Sequence, residues 1–341
     1  MNPRALLLCL PLLAAAADFH PNQLNPAAAG MDPDRLARIP KRMREFVDAG
    51  KSAGIVTLIA RHGHVALLSA VGFQDLESRT PLRTDSMFRL MSMTKPMTGT
   101  AVMMLVDDGR LALIDPVEKH LPEFRGQQVK IKCPDGSSAS TDCLGKPTRP
   151  ITMIDVLAHI SGIQEPPRGS HTLAEAVAAS AKLPLEFEPG STWRYRTAGT
   201  NTAGRVVEAI SGQPYDQFMS ERLFSPLEMR DTTFSPSESQ RARLATVYTY
   251  EDGRLKRAPI RASEFPQPGA GAYSTAEDLA RFYQMVLNGG TLNGRRVLSQ
   301  AAVQFMTTVQ TGNMEAGFAP GQGYGLGWGV TRDPKGSFRY S

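Results

Sequence analysis

Strand-like runs stand near both ends of this chain and helical patterns fill the stretch between them, which restricts how a sheet can be buried. Gly54 to Ala60 and Val65 to Val71 are rich in aliphatic and β-branched residues. His62-Gly63-His64 between them reads as a hairpin turn, with solvated histidines rather than metal ligands. Tyr324 to Val330 (YGLGWGV) returns to strand character, and Phe338 to Ser341 reads as the start of another strand. Residues 111 to 270 are helical segments joined by Pro- and Gly-rich loops. This order predicts an α/β (α+β) fold: an antiparallel sheet built from both chain ends, flanked by helices, with a mostly helical inserted subdomain over 111–270.

The helices have readable ends. Asp32 is expected to cap a helix to Ala49, with Leu36, Ile39, Met43, Phe46 and Val47 on one stripe and Gly50 as its stop. A strong helix is expected from Ser92 to Asp108, through Met97, Ala101, Met104 and Leu105. Thr152 with Asp155 resembles a capping box for a short helix that stops at Ser161-Gly162. Asn201 to Ile210 and Tyr215 to Leu223 read as two more. Ser274 with Glu277 reads as a second capping box, opening a helix to Leu287.

The N-terminus bears on the compartment. Arg4 followed by the apolar run Ala5 to Ala17 reads as a secretory signal peptide over 1–17, cut before Asp18. The run is too short, and too broken by Pro11, for a membrane span. Large neighbours around Cys9 argue against a lipoprotein site. Residues 18–31 read as a flexible lead and 32–341 as one domain, periplasmic or secreted. No later stretch is apolar for long enough to cross a bilayer. The formal charge of +5 comes without Lys/Arg runs, which favours a solvated basic surface over a nucleic-acid partner. Of three cysteines, Cys133 and Cys143 would survive export. Either they bridge a polar loop or they are free thiols. No His or further Cys nearby has metal-ligand spacing.

Ser92-Met93-Thr94-Lys95 is the only S-x-x-K here. Alone it is weak, since ordinary residue frequencies give roughly one chance match in a chain this long. Pro96 strengthens it: lacking an N–H, proline is tolerated in a helix only in the first turn. The helix must therefore begin close to Ser92. Capping alone would explain a serine there. The alternative is chemical. Residues i and i+3 share a helix face, so the Lys95 amine can reach the Ser92 hydroxyl. The free N–H groups of the first turn favour negative charge on an attacking oxygen. Burial and the helix positive end would both lower the Lys95 pKa toward a neutral base.

The likeness extends further. Phe88 to Pro96 (FRLMSMTKP) resembles the nucleophile segment of the class C β-lactamase and esterase branch of the penicillin-recognising serine hydrolases. Gly109 to Pro116, Ile151 to Gly162 (ITMIDVLAHISG), Phe187 to Tyr195 (FEPGSTWRY), Gly269 to Leu287 and Tyr324 to Val330 are similar to that family's segments in the same order. The resemblance implies Ser92 as nucleophile, Lys95 as its activator and Tyr195 as proton shuttle, its phenolate favoured by the lysine. Taken alone, Tyr195 would read as a core residue beside Trp193. The family's Tyr-x-Asn stands here as Tyr195-Arg196-Thr197, so Thr197 occupies a substrate-binding position without a carboxamide. That favours an esterase over efficient β-lactam hydrolysis.

The resemblance also implies a third motif, Lys-Thr-Gly or His/Trp-x-Gly, on a strand just past Tyr324–Val330. The sequence reaches Ser341 without it, and reads either as a fragment lacking the C-terminal strands or as an impaired enzyme. Without one of two oxyanion-hole donors the rate typically drops by about 10²–10³. The absence of G-x-S-x-G argues against an α/β-hydrolase, and there is no H-E-x-x-H or P-loop. His159 reads as a satisfied structural histidine and Gly269-Ala270-Gly271 as a close-approach loop. The expected reaction is acyl transfer on a small ester, lactam or short peptide, with no cofactor or metal. A β-lactamase or D-amino-peptidase is the alternative within the family. A non-catalytic binder of cell-wall peptides or a partner protein is the alternative outside catalysis.

Overall fold

A computed structural model describes residues 18–133, 143–259 and 263–332. The expected signal peptide and the strand expected from Phe338 lie outside the described residues.

Asp32 opens the first helix as expected, its Oδ1 accepting the N–H groups of Asp34 and Arg35 at 2.8 and 3.2 Å. The helix is not continuous. Pro40 has no N–H to give the Leu36 carbonyl, and the segment divides into α1 (Pro33–Leu36) and α2 (Arg38–Asp48). The hairpin follows as β1 (Gly54–Arg61) and β2 (His64–Asp75), antiparallel with Gly54 opposite Gly72 and an irregularity between Ile59 and Ala60. A short β3 (Thr80–Pro81) extends it on the β2 side.

β4 (Phe88–Arg89) leads into a 3₁₀ turn, Met91–Thr94, and then α3 (Lys95–Asp107). Met97, Ala101, Val102, Met103, Met104 and Leu105 are all buried. A helix apolar on every side belongs at the centre of a core, and α3 packs there against later helices. Helix α4 (Met153–Leu157), opened by the Thr152–Asp155 capping box, packs on α5 (Thr197–Ser211), which starts one turn before Asn201 and itself lies against α3. Next comes α6 (Tyr215–Met219), continued by a π turn over Ser220–Phe224.

β5 (Tyr273–Ser274) pairs antiparallel with β4, tying the segment that leads to Ser92 to a distant part of the chain. The helix after it, α7 (Ala276–Leu287), is capped by Thr275 rather than Ser274. Thr275 Oγ1 accepts the Asp278 N–H at 3.2 Å, while Ser274 is buried in β5 with its hydroxyl on Thr232. Tyr324 to Val330 is not one strand but a hairpin of β6 (Gln322–Tyr324) and β7 (Gly329–Thr331), turned at Gly327 with φ +84°.

The architecture is the expected mixture of antiparallel sheets and flanking helices. Among the described residues the β1–β2–β3 sheet comes from the N-terminal part, α7 packs on β1 from the C-terminal part, and β6–β7 forms its own two-stranded sheet. The backbone of α3 lies directly on the β6–β7 turn: a Cβ on Gly99 would stand 2.3 Å from the Leu326 carbonyl oxygen. Cys133 and Cys143 are joined as a disulfide. No helix among the described residues is long and apolar enough to cross a membrane.

Candidate active site

Ser92 is exposed in the 3₁₀ turn, between the exposed side chains of Met91 and Met93. Met91 holds φ +50°, a left-handed conformation that costs a non-glycine residue on the order of 1–3 kcal/mol. The turn is held by β4, by the Leu90 N–H on the Ala272 carbonyl at 2.9 Å, and by the Thr94 hydroxyl on the Met91 carbonyl at 2.7 Å.

Lys95, one turn on, is fully buried. Its Nζ stands 3.2 Å from Ser92 Oγ, donates to the Gly269 carbonyl at 2.8 Å, and lies 4.6 Å from the centre of the Tyr195 ring. Burial lowers its pKa from 10.5 to about 8, against the opposing pull of the Glu165 carboxylate. Burial is one of the two causes expected from the sequence.

The loop that receives Lys95 is fixed by α3 itself. Thr98 donates to the Pro268 carbonyl at 2.6 Å, and Thr94 Oγ1 accepts the Ala272 N–H at 3.2 Å. Asn201, on α5, accepts the Gly269 N–H at 3.0 Å. A Cβ on Gly269 would fall 2.4 Å from Thr197 Cγ2, so the close-approach reading of this loop holds.

Tyr195 comes to the same place from the segment before α5, and its phenol lies against the Ser92 side chain. His159 clamps that segment on both sides of Tyr195. Its carbonyl accepts the Arg194 N–H at 2.8 Å and its Nδ1 accepts the Arg196 N–H at 3.3 Å. The imidazole packs on the Tyr195 ring with centroids 4.5 Å apart. Burial, then the Lys95 charge, push His159 down to about 3, so it is neutral and Nδ1 remains an acceptor. Among the described residues His159 Nε2 is buried without a partner, so the histidine is only half satisfied, contrary to the sequence reading. Burial pushes the Tyr195 phenol up. The resting group is the phenol, not the phenolate expected beside a lysine.

Thr197 is the first residue of α5. Its N–H and that of Ala198 go to the Glu165 carboxylate, and its methyl faces Gly269. Among the described residues its hydroxyl has no protein partner. Ser92, Lys95 and Tyr195 are thus in mutual contact, with Thr197 across the Gly269 loop. Sequence reasoning missed Glu165 and Asn201. Neither carries a local signal: Glu165 lies in a proline-flanked loop, and Asn201 reads as an ordinary helix residue.

The profile of the Beta-lactamase family matches residues 39–341. Protein Rv1367c of Mycobacterium tuberculosis is 33% identical, over 86% of this chain and 78% of its own length. Esterase EstB of Burkholderia gladioli is 31% identical, over 91% of this chain and 84% of its own. The solved structure of EstCE1, a hydrolase with promiscuous acyltransferase activity, superposes with a TM-score of 0.74 at 26% identity, covering 88% of this chain and 84% of that one. With an exposed serine set on a buried lysine and a profile match across most of its length, the chain belongs to the beta-lactamase family of serine hydrolases.

Proposed function

We propose that this protein is an exported carboxylester hydrolase that works through an acyl-enzyme on Ser92. The observation that carries the reading is the Ser92 hydroxyl held between a buried amine at 3.2 Å and the Tyr195 phenol. Neutral Lys95 takes the Ser92 proton as the oxygen attacks the ester carbonyl. The Tyr195 phenol gives its proton to the departing alkoxide, and Lys95 restores it. Water then attacks the acyl-enzyme, giving a proton to Lys95; the acid departs, and Lys95 returns that proton to the Ser92 oxygen. Thr197, with a hydroxyl in place of a carboxamide, supports an ester over a lactam, as does the likeness to EstB. Export is supported by the Arg4 to Ala17 run and by the Cys133–Cys143 disulfide, a bond typical of oxidising compartments.

The test is a fluorophosphonate probe with the natural full-length protein, followed by a p-nitrophenyl acetate assay. The expected result is a label on Ser92, a burst of p-nitrophenol, and neither in Ser92→Ala. An unlabelled, burst-free protein removes the reading and leaves the non-catalytic binder. Nitrocefin turnover equal to that of the ester would instead place the protein with the β-lactamases.

A further inference from the structure

A cavity of about 620 Å³ opens between Trp193 and the 313–322 loop, one aromatic ring removed from Tyr195. Two of its walls are rings that already touch the site. Phe318 sits edge-on to Tyr195 with centroids 5.0 Å apart, and Trp193 lies 6.2 Å from Tyr195. Phe318 is 71% exposed, a large apolar cost unless something covers it. It is nonetheless held in place: Gln322 Oε1 accepts the N–H groups of Phe318 and Ala319 at 2.7 and 3.2 Å. The loop is anchored below by Thr311, whose Oγ1 accepts the Tyr324 N–H at 3.2 Å. Glu315 and Arg332 both line the cavity. Their opposite charges give no net preference for an ionic ligand.

We propose that this cavity is a substrate subsite that takes a bulky, flat, uncharged apolar group of the ester, with Phe318 and Trp193 as its stacking walls. The proposal rests on the Ser92 reading for its chemistry and names the substrate class. A concave site walled by two aromatic rings that pack on Tyr195 is where an apolar group of the substrate gains from burial. The exposed Met91 and Met93 on either side of Ser92 carry the same apolar character to the nucleophile itself.

The bulky group sits on either the acyl or the alcohol side, and two assays separate them. One is the ratio of kcat/KM for p-nitrophenyl 2-naphthoate over p-nitrophenyl acetate. The other is the ratio for 2-naphthyl acetate over vinyl acetate. One ratio is expected to exceed unity in the natural protein. Phe318→Ala should lower that ratio about threefold to tenfold, the loss of one aromatic pair. Ala319→Trp, which fills the cavity, should lower it as well. Both ratios unchanged in both variants would overturn the proposal. Binding of 2-naphthyl acetate to Ser92→Ala, read as quenching of Trp193 fluorescence against a Trp193→Phe background, needs no turnover. Quenching without hydrolysis by the natural protein would sink the Ser92 reading and keep the subsite; hydrolysis without quenching would do the reverse.

Discussion

The Lys95 amine donates to the carbonyl of Gly269 at 2.8 Å, and the N–H of the same residue is held by Asn201 Oδ1 at 3.0 Å. The base of the site is therefore aimed by backbone from a loop far along the chain, and that loop is aimed by a carboxamide on α5. Asn201→Ala leaves the buried Gly269 N–H unpaired, a loss of about 1–3 kcal/mol. The expected outcome is a lower kcat at nearly constant KM, with a depressed melting temperature. Gly269→Ala should do more to activity, since its Cβ collides with Thr197 and moves the carbonyl off Lys95. Steady-state kinetics with p-nitrophenyl acetate, beside a melting curve, read both.

The Lys95 pKa sets a pH profile. Only the neutral amine can take the Ser92 proton. With the group lowered to about 8, kcat/KM should rise about tenfold per unit below that pH and level off above it. Glu165 opposes the shift with its negative charge. Glu165→Gln should therefore move the rise to lower pH. A profile displaced to higher pH in that variant would contradict the assignment.

His159 acts on Tyr195 from behind. His159→Phe keeps a ring but loses the acceptor for the Arg196 N–H and adds strain at φ +61°. His159→Asn places an oxygen where Nδ1 was and tolerates the left-handed backbone. Catalysis should fall in both, mainly in kcat, with Asn retaining more than Phe. Equal losses in the two would point to packing alone.

Asp278 is a stability switch away from the site. Its buried carboxylate accepts the Asp231 N–H and the Thr232 hydroxyl, both at 2.8 Å. Burial raises its pKa from 3.8 to about 6. The folded state therefore holds this proton more tightly than the unfolded chain does. The stability it contributes is fully present below about pH 4 and is lost as pH rises through 6. Asp278→Asn should flatten the stability curve between pH 4 and 6. Chemical denaturation at several pH values measures the slope.

Much of this was legible because local chemistry announces it. Pro96 located the mouth of α3, Asp32 and Thr152 marked their helices, and the run around His62-Gly63 gave the hairpin. The misreadings share a cause. Pro40 split a helix whose apolar stripe runs on unbroken, because a stripe records burial and not hydrogen bonding. Ser274 and Thr275 are both capping residues, and only the pairing of β5 with β4 decides between them. Glycines at 325, 327 and 329 hid a reversal inside what reads as one strand. Within the site, Ser92 and Lys95 share a helix turn and so share a sequence signature. Asn201, Glu165 and Phe318 come to it from parts of the chain distant from Ser92, and nothing local records that.

The Gly99–Leu326 contact orders events in time. The ribosome makes Ser92 and Lys95 early, but the helix that carries them rests on backbone translated more than two hundred residues later. A nascent chain thus holds its reactive alcohol without the floor that seats the base beneath it. The seat of Lys95 beneath Ser92 is complete only when the fold is, so an unfinished polypeptide carries the pair unassembled.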